Sequence, residues 1–195
     1  RRKAFEILER MSNDSNADAV HSQLLIIASA EHKLPIKNEW WTSMIAKLAA
    51  RPVSSVDVEA LGGLLACLEA NSCPRDVARL KQAFEAATDH PGGYGKLFLL
   101  YGQFAQNFLG DSVLAEKATR RAIQQSPSDL ALRANLAGLL INIGRVDEAE
   151  RELDALKSMN HFQVLDTRIS ELQRELIDLQ QKTKKADTSS VPALP

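Results

Sequence analysis

The sequence predicts an all-α fold built from antiparallel helix pairs, and three observations carry this prediction. Apolar residues recur with a helical period along most of the 195 residues, and no segment alternates like a strand between hairpin turns. Alanine and leucine dominate the apolar residues while aromatic residues make up only 5%, a composition that favours closely packed helices. Finally, two successive segments of about one helical hairpin each follow the same pattern.

Five helices are predicted before a break at residues 90–93, which read His-Pro-Gly-Gly. Asn38 and either Ser54 or Ser55 can cap the third and fourth helices, and Pro74 is tolerated at the first position of the fifth. A polar or proline-containing turn ends each of the first three. The predicted bounds are a short helix around Ile7, then 17–31, 38–51, 54–70 and 74–88.

The repeated pattern after the break has a period of 34 residues. This distance separates Ala115 from Ala149, and it also separates the turn pairs at 110–111 and 144–145, each of which begins with glycine. Pro127 ends the first segment and His161 ends the second. The predicted helices are 94–109, 112–125, 128–143 and 146–158. A 34-residue period with glycine at the turn and a small residue in the second helix resembles the tetratricopeptide repeat.

This resemblance is firm for about 60 residues and implies a right-handed solenoid that binds partners on its concave surface. Ala115 and Ala149 are expected where two helices cross most closely. The predicted organisation is degenerate helical hairpins over 1–91, two repeats over 92–160, a C-terminal capping helix over 161–181 and a disordered tail over 182–195.

In the family, the first helix of each hairpin lines the groove, so the resemblance implies a set of groove residues. Two of them, Leu100 and Phe104, replace the lysine and asparagine of chaperone-binding members, and the expected occupant is therefore an apolar peptide or a partner helix. Alternatively, the aromatic residues of this set belong to the core. The set comprises Leu100, Tyr101, Phe104, Asn107, Arg133, Asn135 and Asn142.

The last predicted helix carries apolar residues spaced alternately by three and four. Such a stripe suits a helix that covers the end of the repeats, which is the favoured interpretation. It also suits a short coiled coil, through which the chain could form a homodimer. The stripe comprises Phe162, Leu165, Ile169, Leu172, Leu176 and Leu179.

Cys67 and Cys73 are the only cysteines, and a helix–turn–helix corner can bring them within disulfide range. A disulfide would indicate an oxidising compartment, for a bacterial protein the periplasm; the alternative is two buried thiols in a cytosolic adaptor. Residues 65–74 together with the repeats resemble the soluble tails of bacterial membrane glycan-assembly proteins, of the O-antigen ligase, polymerase or O-oligosaccharyltransferase type. That resemblance implies a periplasmic tail that could bind its own membrane domain.

Charge and motifs exclude several function classes. The formal net charge of −1 gives no electrostatic reason to expect nucleic-acid binding. Fingerprints of nucleotide binding or nucleophilic catalysis are missing from the sequence, and the cysteine spacing does not suit a zinc site. We therefore expect a non-catalytic scaffold domain without cofactor or metal. A start at Arg1 without methionine is expected of a piece of a longer protein.

Overall fold

The computed structural model describes residues 6–7, 10–11, 20–32, 36–72, 76–90, 94–160 and 163–189. Over these residues the chain is helical and contains no strand, which confirms the predicted all-α fold. A π-helical turn, Ala105–Leu109, continues the fifth helix. The helices are α1 (Val20–Glu31), α2 (Asn38–Ala50), α3 (Ser55–Glu69), α4 (Val77–Thr88), α5 (Gly95–Phe104), α6 (Ser112–Gln125), α7 (Leu130–Asn142), α8 (Val146–Met159) and α9 (Asp166–Ser189).

The chain divides into two compact units, Arg1–Gly110 and Asp111–Pro195, here called unit 1 and unit 2. The division falls at a glycine inside the first predicted repeat. In unit 1, α1 packs against α2 and α3, α2 packs against α4, and α5 packs against α3 and α4. Helices two apart in sequence are therefore neighbours, which is the packing of stacked helix hairpins.

The junction between α2 and α3 is fixed by polar contacts. Ser54 and Asp57 form a capping box at the start of α3, and Arg51 pairs with the same buried carboxylate. At the end of α2, His90 Nε2 lies 3.2 Å from the carbonyl oxygen of Leu48 and 3.1 Å from that of Ala49. The imidazole N–H donates there to carbonyls that have no partner within the helix.

Unit 2 contains the repeat predicted most firmly from the sequence. Its core helices α7 and α8 pack along each other and are joined by a short turn at Gly144, while α6 packs against α7. Gly110 and Gly144 have φ of 64° and 77°, so both adopt the left-handed conformation that favours glycine. Ala115 and Ala149 are 1% and 0% exposed. The 34-residue spacing thus corresponds to two equivalent turns and two equivalent close packing positions.

Helix α9 packs against both α7 and α8. Its residues Ile169, Leu172 and Leu176 are buried, and Leu165 and Leu179 are partly buried against the same core. The apolar stripe therefore faces the interior of unit 2. Phe162, the first member of the predicted stripe, lies outside the described residues.

Three predicted boundaries are wrong. Helix α9 begins at Asp166 rather than at residue 161, because Gln163 has a φ of 58°, which is outside the right-handed helical range. Helix α9 continues to Ser189 rather than ending at residue 181, because residues 182–189 contain neither proline nor glycine and are compatible with helix. Helix α4 begins at Val77, where the Asp76 carboxylate accepts a hydrogen bond from the backbone N–H of Arg79 at 3.3 Å. Pro74, the predicted start, lies outside the described residues, as does Cys73.

The apolar residues of α7 have no apolar counterparts 34 residues later in α9. Leu132, Leu136 and Leu140 of α7 are buried. The residues one period later are exposed and polar, namely Asp166, Ser170 and Arg174. Helix α9 therefore has one apolar side, which covers α7 and α8, and a polar side where a further helix of a repeat would pack.

Candidate partner-binding surface

The exposed side of α7 is a narrow polar stripe. Ala131, Asn135 and Asn142 are exposed, while almost every other residue of the helix is buried or partly buried. Their spacing of four and seven residues places them on one side of the helix, with Gly138 between them. Asn135 and Asn142 are about 10 Å apart along the axis, given the rise of an α-helix.

Helix α9 borders this stripe. A Cβ atom placed on Gly138 would lie 3.3 Å from Cδ2 of Leu172 and 3.4 Å from Nη2 of Arg168. The Arg168 guanidinium therefore lies against the glycine, and it pairs with Glu171 at 3.1 Å and with Glu175 at 3.8 Å. We call this region the α7–α9 surface; its exposed residues are Ala131, Asn135, Asn142, Arg168, Glu171 and Glu175.

The third predicted groove residue of unit 2 lies elsewhere. Arg133 is two positions from Asn135, and two helical steps turn a side chain by about 200°. Its Nη1 pairs with Oε2 of Glu152 on α8 at 3.3 Å, and its Nε is buried without a hydrogen-bond partner. Arg133 therefore belongs to the packing of α7 on α8 rather than to the α7–α9 surface.

The four predicted groove residues of unit 1 have different environments. Tyr101 and Phe104 are 6% and 0% exposed, and each ring lies 5.3 Å from the ring of Phe84. These two residues are in the core, as the alternative interpretation held. Leu100 is partly buried and faces Gly62 of α3, whereas Asn107 is exposed and its Nδ2 donates to Oε1 of Glu69 at 3.5 Å.

A cluster of alternating charges connects α6, α7 and α8. Arg120 on α6 contacts three carboxylates, at 2.8 Å for Glu116, 3.2 Å for Glu148 and 3.8 Å for Glu152. Arg145 pairs with two of these, Glu116 and Glu148, and thereby closes a ring of four charges. We call this group the ionic cluster; it comprises Glu116, Arg120, Arg133, Arg145, Glu148 and Glu152.

The cluster shifts the protonation equilibria of two of its members. The hydrogen bond from Arg145 lowers the pKa of Glu148 below its ordinary value of 4.5, and the charges of Arg145, Arg120 and Arg151 act in the same direction. The hydrogen bond to Glu148 in turn raises the pKa of Arg145. Both shifts favour the charged forms, so the two groups stabilise each other as ions.

Sequence reasoning missed both the ionic cluster and Arg168. The Glu116–Arg120 pair is visible in the sequence as a four-residue spacing on one helix. The other contacts of Arg120 join residues 28 and 32 positions apart, and no local pattern predicts such pairs. The position of Arg168 beside Gly138 likewise depends on how α9 packs on α7, which local sequence does not reveal.

Cys67 lies near the end of α3, is 7% exposed and is disulfide-bonded. Its carbonyl oxygen accepts hydrogen bonds from the backbone N–H of Ser72 at 3.0 Å and from the Ser72 hydroxyl at 3.1 Å. Cys73 lies outside the described residues, so its pairing with Cys67 stays a prediction.

Among the described residues, no helix is both long and apolar enough to cross a membrane. In the same part of the chain, no group of three or more histidine, cysteine, aspartate or glutamate side chains is placed to hold a metal ion.

These features define a helical-repeat protein with an exposed polar face on its best-formed repeat. Residues 109–176, about a third of the chain, match the tetratricopeptide repeat family. The match covers α6, α7, α8 and the first part of α9. It confirms the predicted resemblance over residues 109–160, and it does not include α5. Tetratricopeptide repeats mediate protein–protein interactions and are typically non-catalytic. No curated protein and no solved structure matches the chain.

Proposed function

We propose that this chain is a non-catalytic interaction domain that binds a protein partner through the α7–α9 surface. The observation that carries the proposal is the stripe of Asn135 and Asn142 on a helix that is otherwise buried, within the segment that matches the repeat family. A side chain on a rigid, well-packed helix is pre-organised for binding, which reduces the entropy lost on association.

The chemistry of this surface favours a polar, extended partner segment. Each asparagine amide can both donate and accept hydrogen bonds, as a peptide backbone requires. The distance of about 10 Å between the two amides corresponds to about three residues of extended chain. Gly138, which lies between them, is buried under Leu172 and Arg168 of α9, so a partner segment would contact the two amides and the exposed charges of α9 rather than the glycine.

Site-specific photo-crosslinking tests this surface. A photoreactive phenylalanine analogue at position 142 is compared with the same analogue at position 124, an exposed glutamine on α6 that provides the matched control. In the source cells, we expect one partner protein to be captured from position 142, and its capture to be strongly reduced in the variant Asn135→Ala. Equal capture of that protein from both positions would contradict the proposal.

We further propose that the domain works in the bacterial periplasm, as the tail of a membrane-bound glycan-assembly protein. The disulfide-bonded state of Cys67 and the resemblance of residues 65–74 support this setting. The protein's own membrane domain is then a candidate partner. A cytosolic adaptor that binds an apolar peptide or a partner helix is the alternative.

Thiol titration separates the two settings. The full-length protein is taken from its native compartment with free thiols blocked immediately, and blocked Cys67 and Cys73 are counted by mass spectrometry. The periplasmic proposal expects neither thiol to be blocked before reduction and both to be blocked after it. Two thiols blocked without reduction would favour the cytosolic adaptor and would leave the α7–α9 surface unaffected.

A further inference from the structure

Helix α6 packs against the rest of unit 2 mainly through small side chains. Its buried side chains are three alanines and one threonine, and its two large apolar residues that pack inward, Leu114 and Ile123, are only partly buried. The core formed by α7, α8 and α9 consists mainly of leucine and isoleucine. Because apolar stabilisation scales with buried area, α6 gains less from packing than the other three helices.

The ionic cluster provides the remaining attachment of α6. Both of its α6 members, Glu116 and Arg120, contact residues of α8. Arg120 is the centre of the cluster because all three carboxylates contact it. The side chains of Glu116 and Glu152 are only 16% and 19% exposed, which reduces the hydration of these charges. Their partners Arg120 and Arg145 are 39% and 41% exposed, so salt can still reach the pairs.

We propose that the ionic cluster is an electrostatic latch that decides whether α6 is docked on α7 and α8. Salt that screens the pairs, or protons that neutralise the carboxylates, would release α6 while α7, α8 and α9 remain folded. The charges that the three helices bring to the latch are Glu116 and Arg120 of α6, Arg133 of α7, and Arg145, Glu148, Arg151 and Glu152 of α8.

The chain offers a matched pair of variants for this proposal. Arg120→Gln removes the centre of the latch and keeps a long polar side chain. Lys117→Gln removes one positive charge from the preceding turn of the same helix, at a side chain that is exposed. The two variants have equal net charge and similar helix propensity, so a difference between them reports the position of the charge.

Hydrogen exchange of the full chain, followed by mass spectrometry, measures the docking of α6. For Arg120→Gln at low salt, we expect the amides of residues 112–125 to exchange about tenfold faster than in the unmodified chain. We expect the amides of α8 and the first half of α9 to change by less than about twofold. The unmodified chain should approach the exchange pattern of Arg120→Gln in about 1 M sodium chloride, where the screening length falls to about 3 Å.

Three outcomes would overturn the latch. The first is equal exchange of α6 in Arg120→Gln and Lys117→Gln. The second is faster exchange of α6, α8 and α9 together, which would mean that unit 2 opens as a whole. The third is an α6 exchange rate that does not respond to salt in the unmodified chain, and this measurement decides the matter if Arg120→Gln does not fold.

Discussion

Arg51 and Asp57 form a two-pronged ion pair that joins the end of α2 to the start of α3. The distance is 2.9 Å from Nη1 to Oδ2 and 3.3 Å from Nη2 to Oδ1. The Asp57 side chain is 1% exposed and also accepts hydrogen bonds from the backbone N–H and the hydroxyl of Ser54, both at 2.8 Å. A single carboxylate thus serves both as part of the cap of one helix and as the anchor of the preceding one.

Removal of this carboxylate should destabilise unit 1. We expect Asp57→Ala to lower the free energy of unfolding of unit 1 by about 2 kcal/mol, because the Ser54 N–H loses its acceptor and the ion pair with Arg51 is removed. The fluorescence of Trp40 and Trp41 reports unfolding in urea, since these are the only tryptophans and both are buried in unit 1.

Glu59→Gln is the control for this measurement, because it removes an exposed carboxylate of the same helix that pairs with Lys96. Its effect should stay below about 0.5 kcal/mol. If the two substitutions cost the same, the buried carboxylate has no special role in stability.

The left-handed turn at Gly144 should tolerate few other residues. We expect Gly144→Ala to lower the stability of unit 2 by about 1 kcal/mol, because φ is 77° and a Cβ atom disfavours that conformation. No atom lies within 4 Å of the added Cβ, so the effect is conformational rather than steric.

Unit 2 contains no tryptophan, so tryptophan fluorescence reports the unfolding of unit 1. Far-ultraviolet circular dichroism reports the loss of helix in both units. The difference between the two unfolding curves therefore measures unit 2. Gly144→Asn provides the comparison, since asparagine adopts the left-handed conformation more readily than alanine. Equal losses for alanine and asparagine would argue against a conformational origin.

The close packing of the repeat should reject a larger residue at its centre. We expect Ala149→Leu to destabilise unit 2 by about 1–3 kcal/mol, because Ala149 is fully buried and the added carbons must displace neighbouring side chains. Ala131→Leu makes the same change at an exposed position of α7 and should be nearly neutral in thermal unfolding. If Ala149→Leu leaves the stability of unit 2 unchanged, the helix crossing can accommodate a larger side chain.

The lowered pKa of Glu148 makes the stability of unit 2 depend on pH. A carboxylate whose folded pKa lies below its unfolded pKa stabilises the fold above the unfolded value, and this contribution is lost as the pH falls through the folded pKa. Unfolding free energies measured as the pH falls from neutrality should therefore begin to drop near 4.5, the ordinary value for glutamate, and continue to drop below it.

Glu148→Gln should reduce this acid sensitivity, since it removes the titrating group. Glu150→Gln, an exposed carboxylate two residues further along α8, is the control for the change in charge. Identical pH profiles for the two variants would show that the pair with Arg145 does not contribute to folding.

Local patterns predicted much of this fold. The glycines at 110 and 144 mark left-handed turns, the alanines at 115 and 149 mark buried positions, and most helix bounds agree within a few residues. These features depend on backbone conformation and on residue size, which short stretches of sequence encode directly.

The candidate surface was harder to predict, because it depends on which helix packs on which. Tyr101 and Phe104 have the residue types of a binding groove, yet Phe84 of the preceding helix covers them. Arg133 has the charge of a binding residue, but Glu152 on α8 holds it against the other side of α7. Both outcomes follow from contacts between residues that are distant in sequence, and the helical period does not predict such contacts.

The polar side of α9 determines where the array can grow. A copy of the repeat appended after residue 189 would contact Asp166, Ser170 and Arg174, and these three residues provide no apolar surface for it to pack against. An inserted copy would instead have to enter ahead of α9, between Met159 and Asp166. Ile177 lies on the same side of α9 and is 51% exposed, so a further helix could dock here only through polar contacts and a single isoleucine.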